Sequence, residues 1–240
     1  MITIIKRIHT ICSNHASIIR TIYYNFKYLP VSQACKLPMI VAKGVRIWGN
    51  GKISLEDWNM KTSPSIYIGG KALKWMPFPK EVPTIWQIDG TLRLKPNFYF
   101  GSGGGIEVGE GAVLSFETGF NATGRCTIVC RNKINFGIDT LVSWDTLFMD
   151  SDQHTLLSKE SLPTNPDTSI EIGNHVWISS KVTILKNSIV ANHCVIGCNS
   201  LVHGKYLQDN VLIAGIPSRI CKEDIEWSSM RPSKENMERD

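Results

Sequence analysis

From Ile172 onward the chain repeats itself every six residues. Aliphatic side chains stand at Ile172, Ile178, Ile184, Val190, Ile196 and Val202 without a slip. The position after each is mostly small (Gly173, Ser179, Ala191, Gly197), with Leu185 and His203 as exceptions. Two positions before each come Ile170, Val176, Val182, Ser188, Cys194 and Ser200, again small or apolar. Such a period fits neither a lone helix nor a strand that alternates indefinitely. It fits a solenoid in which each flat face uses one hexapeptide, inward aliphatics stack coil on coil, and the small residue lets the chain turn a corner. A weaker form of the pattern runs through Val108, Leu114 and Phe120, and again through Phe136, Val142 and Phe148, with one slip of phase within residues 121–135. Spacing therefore predicts a mainly β chain folded as a parallel β-solenoid.

Two other patterns flank the repeat. Between residues 2 and 28, apolar side chains at Ile4, Ile5, Ile8, Ile11, Ile18, Ile19, Ile22, Tyr23 and Phe26 share one helical face, and Pro30 closes the segment. An amphipathic helix within residues 1–30, packing that face on one end or flank of the domain, is the favoured reading. Peripheral association with an anionic membrane surface is the alternative; Asn14, Ser17 and Thr21 dilute its charge. From about residue 40, short stretches such as 66–68, 85–88 and 91–94 lie between glycine, proline and tryptophan and read as strands and turns. The glycines of 101–105 lack the Lys-Ser/Thr of a phosphate loop and read as a turn between coils. The expected organisation is thus a helix over 1–30, a β-helix over 40–215 with an inserted loop at 149–169, and a C-terminal cap over 216–240 with a short helix and a frayed tail.

Composition narrows the classes. Among 240 residues, 42% hydrophobic and 20% charged is an ordinary globular balance. No apolar run reaches 18 residues, and MITIIKR is not built as a secretory signal. The seven cysteines form no C-x-x-C pair and read as reduced, mostly buried thiols of a cytoplasmic protein. The net charge of +5 is local: eight bases precede the first acid, Glu56, leaving 18 bases against 21 acids in the remainder. A body with that balance offers no basic stripe for nucleic acid.

The block IEIGNHVWISSKVTILKNSIVANHCVIGCNSLV, followed by Ala214-Gly215-Ile216-Pro217-Ser218-Arg219, resembles the hexapeptide-repeat acyltransferases, and within them the sugar and capsular-polysaccharide O-acetyltransferases. The likeness covers about residues 101–222. It implies a left-handed β-helix with three hexapeptides per coil, a homotrimer, acetyl-CoA as co-substrate with no metal, a carbohydrate acceptor and a role in surface-polysaccharide synthesis. The expected location is the cytoplasm, where the basic N-terminal helix would suit the inner face of the membrane.

The chemistry is expected in the insertion, which carries Asp150, Asp152 and His154 directly after a repeat strand. Acetyl transfer to a hydroxyl needs a base for the hydroxyl proton, a donor for the oxyanion and a seat for the thioester. Histidine suits the base role, and a carboxylate can hold its tautomer. His154 matches the catalytic histidine of the family, although Thr155 follows where the family often has proline; Asp152 is its candidate partner. The resemblance places coenzyme A along Trp177, Ser179, Ser180, Asn199 and Ser200, with Arg219 and Lys222 near its phosphates, and the acceptor near Asn121, Trp144 and Asp150. His175 and His193 lie one 18-residue coil apart and should stack as turn residues rather than bind a metal; His203 marks a bulge, and His9 and His15 are structural. Three other readings remain: an N-acetyltransferase of an amino sugar, a zinc-dependent hydrolyase of the γ-carbonic anhydrase kind, for which a close histidine pair is missing outside His9 and His15, and a non-enzymatic scaffold.

Overall fold

A computed structural model of the chain describes residues 16–58, 65–70 and 82–229. From Met39 the backbone lays short strands on three faces in rotation. Met39–Val41 opens the first face, Val45–Trp48 the second and Lys52–Leu55 the third; the first face is resumed at Ile66–Gly70. Strands of one face pair in parallel with those one coil away, giving sheets of nine, seven and seven strands among the described residues. The fold is a single-stranded parallel β-helix.

The six-residue pattern maps directly onto it. On the second face Phe148 pairs with Ile184 and Ile184 with Val202; on the first, Val142 pairs with Ile178 and Ile178 with Ile196. Every aliphatic or aromatic residue of both pattern runs is buried, as are the six residues two places before the regular set. The earlier coils fill a wider section with rings: Phe116 lies 4.9 Å from Phe136, which lies 4.9 Å from Phe148. Their pairings also run longer, Phe100 to Ala122 and Ala122 to Val142, against Ile178 to Ile196 later. Extra turn residues in those coils account for the slip of phase.

The corners work differently from expectation. The chain turns not at the small residue but two places further on. His175, Lys181, Asn187, His193 and Asn199 all hold φ between 52° and 63°. Asparagine and histidine tolerate this left-handed region better than most side chains. The small residue serves close stacking instead: a Cβ on Gly173 would stand 2.7 Å from the Ala191 carbonyl oxygen of the next coil.

Helix α1 (Ile18–Tyr28) starts at Ser17, whose Oγ accepts a bond from Arg20 N at 3.3 Å, and leads through Pro30 into a short second helix, α2 (Val31–Ala34). The residues α1 buries are Thr21, Tyr24 and Asn25, whereas Ile18, Ile19, Ile22, Tyr23 and Phe26 are exposed, reversing the expected orientation. The open edge of Met39–Val41 is the cause, because its unpaired backbone groups need polar partners. Asn25 Nδ2 donates to Met39 O at 2.8 Å while its Oδ1 accepts from Met39 N at 3.2 Å. Thr21 Oγ1 accepts from Val41 N at 3.1 Å, and the Tyr24 hydroxyl accepts from Ile47 N at 3.0 Å. The helical expectation for residues 1–15, with His9, His15 and Cys12, lies outside the described residues, and no described helix is long and apolar enough to cross a membrane.

At the other end, the expected C-terminal helix is absent from the described residues. Ser218–Lys222 pairs antiparallel with Leu212–Gly215 and covers the last open edge of the first face, the same need met by a strand. The expected frayed tail lies outside the described residues from 230 onward. Of the described cysteines, Cys126, Cys130 and Cys194 are buried, but Cys35, Cys198 and Cys221 are exposed, so burial is not general.

Candidate functional site

From Thr84 onward the coils are broken once, at the corner between the second and third faces. Thr146–Met149 ends the second-face strand, and Ile170–Ile172 begins the third-face strand. Phe148 therefore pairs with Ile184, 36 residues on, where the next coil needs only 18 to reach Val202. The loop leaves through Asp150. This side chain is fully buried, and its oxygens accept from Arg131 N at 2.6 Å and Asn132 N at 2.9 Å. Burial raises its pKa against the pull of those two amides. Asp150 was expected to meet the acceptor; sealed inside and committed to backbone, it shapes the loop's exit instead.

The loop holds itself in place with polar contacts. Thr164 N donates to Leu156 O and Ser158 N to Leu162 O, each at 2.8 Å, forming a small antiparallel tongue. Asn165 is its hub, with Nδ2 donating to Asp152 Oδ2 at 2.7 Å and to His154 O at 2.8 Å, and Oδ1 accepting from Leu156 N at 2.7 Å. Lys186, from the next coil, donates to Asp152 Oδ2 at 2.6 Å and to the carbonyls of Asn165 and Pro166 at 3.1 Å. The Lys186 ammonium, then Asn165, hold the Asp152 carboxyl below its ordinary range. Asp152 thus anchors the loop and does not orient the His154 ring, its expected task. Neither Asn165 nor Lys186 stands out in the sequence. An asparagine among prolines and a lysine in a turn look like surface residues until the loop is folded.

His154 is exposed and lines a polar cavity of about 410 Å³ with Ser151, Gln153, Thr155, Asp167 and Arg131. Arg131 carries the cation of this rim and pairs with Glu107. Among the described residues the His154 imidazole has no hydrogen-bond partner, so both ring nitrogens face the cavity or solvent.

The other expected residues lie elsewhere on the prism. Asn121, Leu141 and Trp177 form one row across the first face. Trp177 is half-buried, with its Nε1 3.3 Å from Ser143 Oγ. Trp144 and Ser180 stack along the corner between the first and second faces, linked by Lys181 N to Trp144 O at 3.0 Å and Asn199 N to Ser180 O at 3.1 Å. Ser179 is half-buried beside them, and Ser180 Oγ lies 3.3 Å from Cys198 Sγ. Ser200 is buried; its hydroxyl donates to Gly197 O at 2.7 Å and accepts from Gly215 N at 3.1 Å, so it braces the terminal turn and is closed to a ligand, contrary to expectation. Arg219 and Lys222 are exposed on the terminal strand. Within one chain, His154 sits at one corner and the expected coenzyme residues sit on another corner and at the end of the coil.

His175 and His193 stack as expected, ring centroids 5.3 Å apart, but they are not alone. Trp227 lies flat on His175 at 4.2 Å, and Asp139 Oδ2 lies 2.6 Å from His175 Nδ1. Burial pulls the His175 pKa down, yet Asp139 and the Trp227 carbonyl outweigh it and the net shift is upward.

No protein-family model matches the chain. The Escherichia coli (strain K12) protein WbbJ, named for lipopolysaccharide biosynthesis O-acetyl transfer, is 27% identical over 144 residues, 56% of this chain and 73% of that protein. The polysialic acid O-acetyltransferase of Neisseria meningitidis is 34% identical over 105 residues, covering 43% of this chain and 49% of the relative. Among solved structures, galactoside acetyltransferase in complex with coenzyme A aligns with a TM-score of 0.42 and 26% identity, over 46% of this chain and 55% of that one. The chain is related in sequence to named O-acetyltransferases, and its match spans about half the length of the second and third of these.

Proposed function

We infer that the chain, a hexapeptide-repeat acyltransferase by relationship, moves an acetyl group from acetyl-CoA to a sugar hydroxyl, with His154 as the general base. The observation that carries this reading is the 150–169 break in the regular coils, which presents an unencumbered imidazole at the rim of a polar cavity. A sugar hydroxyl bound there gives its proton to a free ring nitrogen as its oxygen attacks the thioester carbonyl. The protonated imidazole then returns the proton to the departing sulfur, so the base is regenerated. Asp152 and Lys186 do not exchange protons in this scheme; they fix the loop that carries His154.

The active form is a homotrimer with a left-handed β-helix in each copy. Support comes from the separation within one chain of His154 from Trp177, Ser179 and Ser180: a cleft holding acetyl donor and base together needs a neighbouring copy to supply one side. Arg219 and Lys222 supply positive charge for coenzyme phosphates, and Asn121 and Trp144 line the acceptor side. The names of WbbJ and the polysialic acid enzyme favour a building block of a surface polysaccharide as acceptor. The proposed place of the reaction is the cytoplasm.

The test is acetyl transfer by the purified chain from acetyl-CoA to a panel of hydroxyl and amino sugars, with oligomeric state read by light scattering. Transfer to hydroxyls by a trimer is expected. Transfer confined to amines overturns the acceptor class, and a folded chain that binds no acetyl-CoA overturns the reading altogether.

A further inference from the structure

The corner between the third and first faces carries a second cluster, remote in the fold from the His154 loop. Three successive coils place Asp139, His175 and His193 in the same left-handed turn position, with φ of 56°, 52° and 58°. The chain beyond the terminal hairpin returns across this stack. Ile225 N donates to Asn210 O at 2.9 Å, Asn210 Nδ2 donates to Ile225 O at 3.1 Å, and Trp227 Nε1 donates to His175 O at 2.8 Å. Glu226 is thereby laid against both imidazoles. Its Oε1 lies 3.6 Å from His175 Nε2 and 3.7 Å from His193 Nδ1, and the ligand atoms of the three residues all lie within 4.8 Å of one another.

Those two separations are too long for hydrogen bonds. They match the edge of a small tetrahedron: bonds of about 2.0–2.2 Å to a zinc-sized ion set neighbouring donor atoms roughly 3.3–3.6 Å apart. Two independent features point the same way. His193 Nδ1 is closed off from solvent and has no hydrogen-bond partner. His175 Nδ1, in contrast, is bonded to the Asp139 carboxylate, the arrangement that fixes a metal-bound imidazole by its second nitrogen and leaves Nε2 as the donor. His175 Nε2 also lies 3.1 Å from the Trp227 carbonyl oxygen, a contact that a bound metal ion would replace.

We propose that His175 Nε2, His193 Nδ1 and Glu226 Oε1 bind a divalent transition-metal ion of the zinc class, with Asp139 as the positioning carboxylate. Two imidazoles and one carboxylate suit borderline ions over calcium or magnesium, which prefer all-oxygen shells. The ion staples the C-terminal segment at Trp227 to the corner of the solenoid. Its role is structural, and acetyl transfer at His154 does not run through it.

The full chain, prepared without a histidine tag and stripped with a chelator, is titrated with zinc alone against a chromophoric competitor, and its thermal midpoint is read with and without the metal. One ion per chain is expected, with a higher midpoint when zinc is present. His193→Ala and Glu226→Gln each weaken binding by at least about tenfold, and Asp139→Asn weakens it by about 10–100-fold while keeping the stoichiometry. The Glu226 side chain is exposed, so its substitution leaves folding intact and its result stands without that complication. Equal binding by wild type and Glu226→Gln means an adventitious ion only and overturns the site, as does a wild type that binds no zinc.

Discussion

The regular coils after residue 170 and helix α1 are both amphipathic, yet they bury opposite faces. In the coils, Ile178, Ile184, Val190 and Ile196 point inward from strands that are paired on both sides, with the coil above and the coil below. Apolar burial then decides orientation, because hydrogen bonding is already satisfied. Among the described residues, no coil lies above the first. The edge of Met39–Val41 presents bare donors and acceptors, and α1 turns Thr21, Tyr24 and Asn25 toward them at the cost of leaving five large apolar side chains in the open. A solenoid's interior obeys its hydrophobic pattern; its end is governed by the unpaired edge.

The comparison can be broken by substitution. The largest loss is expected inside the coils. Phe136→Ala removes a buried ring wedged between Phe116 and Phe148 and should cost about 3–5 kcal/mol by chemical denaturation. Next comes the docking face of α1. Asn25→Leu adds apolar character to a helix yet should destabilise by about 1–3 kcal/mol, because Met39 loses its donor and its acceptor together. A neutral result would mean that the edge does not set the helix orientation. Lys186→Met lies between stability and function: about 1 kcal/mol or less in unfolding, but faster cleavage of the 150–169 loop by a protease and a clear fall in transfer rate. Smallest is Ile19→Ser. At 80% exposure, this position should shift stability by less than about 0.5 kcal/mol, unlike a residue buried in a core.

What the sequence makes legible follows the same division. Period six was enough to assign the inward residues of the later coils, since one hexapeptide per face is a local rule. The early coils blurred it because their turns are longer, and the pattern has no way to register an unpaired edge. The same limit applies at the site. His154 could be found as the histidine in the 150–169 interruption. Asn165 and Lys186, which hold that interruption in place, act across 9 to 34 residues of chain, and nothing in their spacing marks them. Asp150 and Ser200 were misassigned to ligands for a related reason: a polar residue beside a candidate site looks functional until its backbone partners are seen. The stacking of His175 on His193 could be read from the 18-residue offset, but Glu226 reaches them only by the return of the C-terminal segment.

The central claim is that His154 takes the acceptor's proton. The direct measurement is kcat/KM for acetyl transfer by wild type and His154→Ala, side by side with their acetyl-CoA affinities. A fall of about 10²–10⁴-fold with unchanged coenzyme binding is the predicted result. Equal rates in the two proteins would contradict it and remove the loop histidine from the chemistry.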